Sequence, residues 1–173
     1  MISKKLQHNS SLVSLLALTA LLALIPTTGS ASSTASTSAE RDLHCLALNI
    51  YHEARGESKE GQMAIATVTM NRLSHNKYPD TICQVVWQYR QFSWTHDGRS
   101  DDPDDVAAWQ TAQKIAHFIY NNYPRLVEIT KGRADITNGA LYYYAPKLAD
   151  PYWAKHKVVT RTIGDHIFLK DTG

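Results

Sequence analysis

In Ile50-Tyr51-His52-Glu53-Ala54-Arg55-Gly56-Glu57 a glutamate stands near the end of an apolar helical pattern, beside an arginine and just ahead of a glycine. Upstream, Leu43, Leu46, Ala47, Ile50 and Ala54 fall in the i, i+3, i+4, i+7 series of a helix with one face on a core. At 3.6 residues per turn Glu53 lies roughly 80° from the centre of that stripe, so its carboxylate sits on the border between core and solvent. Gly56 is placed to end the helix. Arg55 is about 200° away from Glu53 around the helix, so it is expected to pair with another acid, Glu57 or Glu60.

Downstream, Ser58 is a natural N-cap for a second helix over Lys59 to about Leu73. Met63, Ala64, Ile65, Ala66, Val68 and Met70 leave that segment almost no polar face, which predicts burial on most sides, with Asn71-Arg72 as its polar end. Pro79-Asp80 opens a third helix, Asp80 as N-cap, through Ile82, Val85, Val86 and Tyr89. The loop Arg90 to Arg99 mixes Phe92 and Trp94 with Gln91, Ser93, His96 and Asp97, a composition suited to the wall of a sugar site. Asp102-Pro103-Asp104 reads as the start of a helix from about Asp105 to Asn122, with Val106, Trp109, Ala112, Ala116, Ile119 and Tyr123 toward the core. The aspartates at 101, 102, 104 and 105 lack the spacing and closing glutamate of an EF-hand loop. Beyond Pro124 come a turn at Asn138-Gly139, an extended aromatic piece over Leu141 to Ala145, and a loop carrying Tyr152-Trp153. A hairpin follows, Val158 to Ile163 with His166 to Leu169. The sum is a mainly helical α+β domain with a small C-terminal β element.

A chain of 173 residues that is 43% hydrophobic supports one domain with a real core. Lys4 and Lys5 precede an apolar run of about 14 residues, Leu12 to Ile25, closed by Pro26 and Gly29-Ser30-Ala31. This is the layout of a signal peptide over residues 1–31, and the run is shorter than the roughly 20 residues a spanning helix needs. Residues 32–40, rich in Ser, Thr and Ala, are expected to form a disordered leader, and residues 41–173 the folded domain. Lys4 and Lys5 are the only charges removed with the signal peptide, so the formal charge falls from +2 to zero. Neutrality gives no footing for a nucleic-acid or acidic-membrane partner. In an oxidising compartment Cys45 and Cys83 are expected to form a disulfide.

An exported, neutral, helix-rich domain with a border glutamate and clustered Tyr and Trp points toward carbohydrate chemistry. No G-x-S-x-G elbow supports a serine hydrolase, and both cysteines are better used as a pair than as nucleophiles. His52-Glu53 begins like the zinc motif H-E-x-x-H, but Gly56 holds the second histidine position. No metal or cofactor is expected. Glu53, partly desolvated, can stay protonated long enough to serve as a general acid. A surface carboxylate near a helix end is the ordinary alternative.

His52-Glu53-Ala54-Arg55-Gly56-Glu57, Gly61-Gln62-Met63-Ala64-Ile65-Ala66, Asn71-Arg72, Tyr78-Pro79-Asp80-Thr81-Ile82-Cys83, Gln91-Phe92-Ser93 and Asp97-Gly98 together resemble the SleB-type cell wall hydrolase family. So do Ala140-Leu141-Tyr142-Tyr143, Pro151-Tyr152-Trp153-Ala154 and Ile163-Gly164-Asp165-His166-Ile167-Phe168. The resemblance implies a lysozyme-like domain that cuts the β-1,4 bond between N-acetylmuramic acid and N-acetylglucosamine in peptidoglycan glycan strands. It also implies that Glu53 is the catalytic acid. Hydrolysis needs a second carboxylate, for which Glu57 and Asp97 are candidates; a lytic transglycosylase needs only Glu53. Gln91, Ser93, Trp94, Tyr142, Tyr143 and Trp153 are the candidate substrate-binding residues. Muramidase action, or a non-catalytic peptidoglycan-binding module, are the alternatives. A monomer in the periplasm, free of the membrane after cleavage, is the expected state.

Overall fold

The computed structural model describes residues 31–172; the signal-peptide segment lies outside the described residues save for Ala31. Helix α1 spans Ala31–Ala54, α2 Lys59–Leu73, α3 Ile82–Val86 and α4 Val106–Ile129, and strands β1 Tyr142–Tyr144, β2 Lys157–Ile163 and β3 His166–Asp171 complete the fold. The mainly helical α+β architecture agrees with the sequence. No described helix is long and apolar enough to cross a membrane.

Helix α1 is the hub. Cys45 to Tyr51 are all buried, because α2, α3 and α4 each pack against α1; the single apolar stripe read from the sequence underestimates this. Residues 32–40, expected to be disordered, have helical backbone and form the first turns of α1. Ala, Ser and Thr without Pro or Gly offer no stop signal, and extending an existing helix needs no new nucleus. Gly56 follows the helix end but is not among the glycines with positive φ, so α1 ends without a left-handed glycine cap.

Helix α2 is capped by the Ser58 side chain, which accepts a bond from Gly61 N, and is buried nearly throughout, as its composition predicts. The third helix is shorter than expected: Thr81, not Asp80, is its N-cap, accepting from Gln84 N, and Tyr89 lies outside it, 71% exposed. Arg90, with φ 61°, turns the chain away there. Cys45 and Cys83 are joined in a disulfide, tying α1 to α3. Helix α4 opens at Asp105, whose side chain accepts from Ala108 N, but runs past Asn122 to Ile129 with Pro124 inside it. The bond lost at Pro124 is tolerated because buried Tyr123 and the core-packed Val127 carry the helix onward. Val106, expected on the core side, is 68% exposed.

The expected hairpin is β2–β3, with Gly164 at φ 57° in its turn, and β1 adds to it as a third antiparallel strand in the order β1-β3-β2. Tyr143 pairs with Phe168 and packs against both hydrophobic clusters of the core. By the two-residue alternation of a strand, Tyr142 and Tyr144 face the other way, toward Trp153.

Asn71 and Arg72 bind the sheet side to α2. Asn71 Nδ2 donates to Asp135 Oδ2 (2.9 Å) and to the Ala140 carbonyl (3.0 Å), and Tyr123 Oη donates to Asn71 Oδ1 (2.7 Å). Arg72 Nε donates to the Leu141 carbonyl at 2.8 Å.

Candidate active site

The last turn of α1 carries Glu53 out of the core at the point where β1 crosses it. Tyr143 Oη donates to Glu53 Oε2 at 3.1 Å, so the partner of the acid comes from a strand 90 residues away in sequence. Burial raises the Glu53 carboxyl above its ordinary value, against the Tyr143 hydrogen bond and the nearby Arg72 charge, which both favour ionisation. Burial, with Glu53 opposite, lifts the Tyr143 phenol well above its ordinary value, which keeps it a hydrogen-bond donor.

Glu53 opens into a cleft of about 580 Å³ whose walls include His52, Arg72, Gln91, Ser93, Tyr143, Tyr144 and His166. Among the described residues that line it, Glu53 is the sole carboxylate. A smaller recess of about 270 Å³ adjoins it on the side of Glu57, Lys147, Asp165 and His166, and Glu53 and His166 line both. The cleft wall at 90–96 is braced by its own side chains: His96 Nε2 accepts from Arg90 N at 2.8 Å, and His52 stacks on Trp94 at 4.4 Å with an interplanar angle of 17°.

The sequence candidates therefore divide. Glu53, Gln91, Ser93 and Tyr143 meet at the cleft. Trp94 does not; it is 7% exposed and packed between His52 and Trp87, because a ring at that position completes the core under α1. Tyr142 faces outward, its hydroxyl on Asp171 (3.2 Å) and its ring beneath Lys157 Nζ at 4.1 Å. Trp153 lies on the same outer face, 40% exposed, and reaches the cleft only through Tyr144, which it meets edge-on at 6.0 Å. Asp97 is exposed and turned to its own backbone, accepting from Arg99 N at 2.9 Å.

Glu57 is held by the β2–β3 turn. Its carboxylate accepts from Asp165 N (3.3 Å to Oε1) and lies 3.4 Å from His166 Nδ1. It is wedged between two glycines: a Cβ at Gly61 would come within 2.9 Å of Glu57 Cβ, and one at Gly164 would overlap Glu57 Oε2. Burial holds His166 below the usual imidazole range, although Glu57 and Asp165 pull the other way. Arg55 pairs with neither Glu57 nor Glu60; its guanidinium lies over the Tyr51 ring at 4.9 Å, and Asp104 is held below its ordinary value first by the Tyr51 hydrogen bond and to a smaller extent by the Arg55 charge. The buried Tyr51 hydroxyl, which donates to Asp104 at 2.6 Å, brings that acid within range.

Arg72, His166 and Tyr144 are cleft residues that periodicity does not reveal. A polar pair at the end of an otherwise apolar helix was the available sign for Arg72. Among the described residues no group of three or more His, Cys, Asp or Glu is arranged to hold a metal ion.

Comparison with known proteins identifies the family and the fold. The family profile described as Cell Wall Hydrolase matches residues 56–169, beginning just after Glu53. The spore cortex-lytic enzyme of Oceanobacillus iheyensis is 33% identical over 133 residues, 76% of this chain and 42% of that protein. That of Bacillus subtilis strain 168 is 31% identical over 132 residues, 76% and 38% respectively. The chain thus spans less than half the length of these relatives. The catalytic domain of Bacillus cereus SleB superposes with a TM-score of 0.56 at 28% identity, covering 76% of this chain and 91% of that one. The catalytic domain of the Bacillus anthracis germination-specific lytic transglycosylase SleB gives 0.59 at 28% identity, covering 84% of this chain and all of that domain. Sequence motifs, fold and profile coincide, and the chain belongs to the SleB-type cell wall hydrolase family.

Proposed function

We propose that the protein cleaves the β-1,4 bond between N-acetylmuramic acid and N-acetylglucosamine in peptidoglycan, acting as a lytic transglycosylase with Glu53 as acid and then base. The observation that carries this reading is the one carboxylate among the described residues that line the cleft, half-withdrawn from water and hydrogen-bonded to a phenol that stays neutral. Burial favours the protonated form needed at the start. Glu53 gives its proton to the glycosidic oxygen as the C1–O bond breaks. The carboxylate so formed takes the proton of the muramoyl C6 hydroxyl as that oxygen attacks C1, closing a 1,6-anhydro ring. The nucleophile belongs to the substrate, so no second carboxylate has to activate a water. Glu57 is already committed to the Asp165 amide and packed against Gly164, which favours this route over hydrolysis.

Gln91 and Ser93 supply polar groups along the cleft wall, and Tyr144 with Trp153 continues it as an aromatic face suited to sugar C–H patches. Action on peptidoglycan fits an exported, cell-envelope protein. The test is soluble muropeptide release from purified sacculi: Glu53→Gln is expected to abolish it while leaving the cooperative unfolding transition in place. Full release by that variant would overturn the reading, and binding of sacculi by wild type without release would mark a non-catalytic module.

A further inference from the structure

Arg72 is a buried cation with no acid in ion-pair contact. It is 4% exposed, forms no ion pair with any described carboxylate within 4.0 Å, and its Nη1 is buried without a hydrogen-bond partner. Its Nε is spent on the Leu141 carbonyl, and its guanidinium lies over the rings of Phe92 (5.2 Å) and Tyr78 (5.4 Å). Those contacts fix the position of the charge but do not neutralise it. An uncompensated buried charge is costly to keep, and here it is kept at the wall of the cleft that holds Glu53.

We propose that Arg72 is the counter-charge of Glu53, a positioning residue whose fixed guanidinium stabilises the carboxylate left behind when Glu53 gives up its proton. This rests on the reading of Glu53 as the acid. The charge is held in the cleft wall, with Nη1 out of contact with solvent, and it acts on Glu53 as a fixed field. Burial and Arg72 then oppose each other at Glu53, the first keeping the acid protonated before the bond breaks, the second making the carboxylate available as the base for ring closure. The other titratable groups about the cleft are His52 on the same helix, Tyr143 and Tyr144 on β1, His166 with Glu57 behind it, and Arg90 and His96 on the wall. None of them is a buried fixed cation.

The experiment compares Arg72→Gln, Arg72→Met and Arg72→Lys with wild type and Glu53→Gln, each checked by thermal unfolding, in muropeptide release from sacculi at limiting substrate across pH. Gln keeps an amide for the Leu141 carbonyl but no charge, Met keeps the apolar stem, and Lys keeps the charge. In whichever uncharged variant folds, release near neutral pH is expected to fall about 10²-fold, the scale of losing one preorganised stabilising group. Its alkaline limb is expected to move to higher pH, because the carboxyl has lost the charge that favoured its ionisation; Lys should hold the limb near its wild-type position. An uncharged variant whose limb stays in place, or a Lys variant that shifts as far as the uncharged one, would overturn the proposal while leaving Glu53 as the acid. Release by Glu53→Gln would overturn both.

Discussion

Gly164→Ala tests how the hairpin turn and the recess beside Glu53 are held together. Gly164 adopts φ 57°, where an L side chain costs about 1–2 kcal/mol, and its new Cβ would overlap Glu57 Oε2. The Glu57 carboxylate must then leave its place, giving up the Asp165 amide at 3.3 Å and the His166 contact at 3.4 Å. Both contacts are long, so their loss is set at the lower end for hydrogen bonds to charged groups, about 1.5 kcal/mol. The sum is about 3 kcal/mol. Urea unfolding of wild type, Gly164→Ala, Glu57→Ala and the double variant separates the two contributions. With Ala at 57 there is nothing to collide with, and only the backbone cost of about 1–2 kcal/mol should remain. A double-mutant cycle that closes to within about 0.5 kcal/mol would refute the reasoning, since the two residues would then act independently.

Three further outcomes are expected. Reduction of the Cys45–Cys83 bond, or its replacement by a serine pair, reopens a loop with a sequence separation of 38, worth about 4 kcal/mol in chain entropy; the unfolding midpoint should drop on the order of 10 °C, and an unchanged midpoint would contradict it. Because folding raises the Glu53 carboxyl above its unfolded value of 4.5, its stabilising contribution is full below that value and lost as pH rises through the folded one. Glu53→Gln should therefore be more stable than wild type at pH 7, with the gap closing in acid; a gap independent of pH would show that ionisation is not its source. Trp153→Ala, on the outer face, should weaken release from sacculi without a comparable loss of stability, measured by paired activity and unfolding assays; equal activity would remove that face from the substrate path.

The sequence already disclosed the helices and the hairpin where local signals are strong. Ser58 and the apolar run to Met70 located α2, and Gly164-Asp165 marked the turn. Asp80 reads as the N-cap of α3, but the cap is the adjoining Thr81, since which side chain reaches the free amide depends on the local backbone; and Pro124 was overridden by the tertiary burial of Tyr123. At the site, helix geometry placed Glu53 on the core border, but which tyrosine of the 142–144 run meets it depends on strand pairing with β3. Trp94 read as a sugar platform because composition does not say which way a ring points. Arg72 and His166 were hidden for the same reason: their meaning comes from what they face across the cleft, 69 residues separating Arg72 from its Leu141 partner.

The most direct measurement of the central claim is the mass of the products released from purified sacculi by wild type and by Glu53→Gln. Glycan ends lighter by one water than reducing N-acetylmuramic acid, released by wild type and absent with Glu53→Gln, are the predicted result; fully hydrated reducing ends, or anhydro products from the variant, would contradict it.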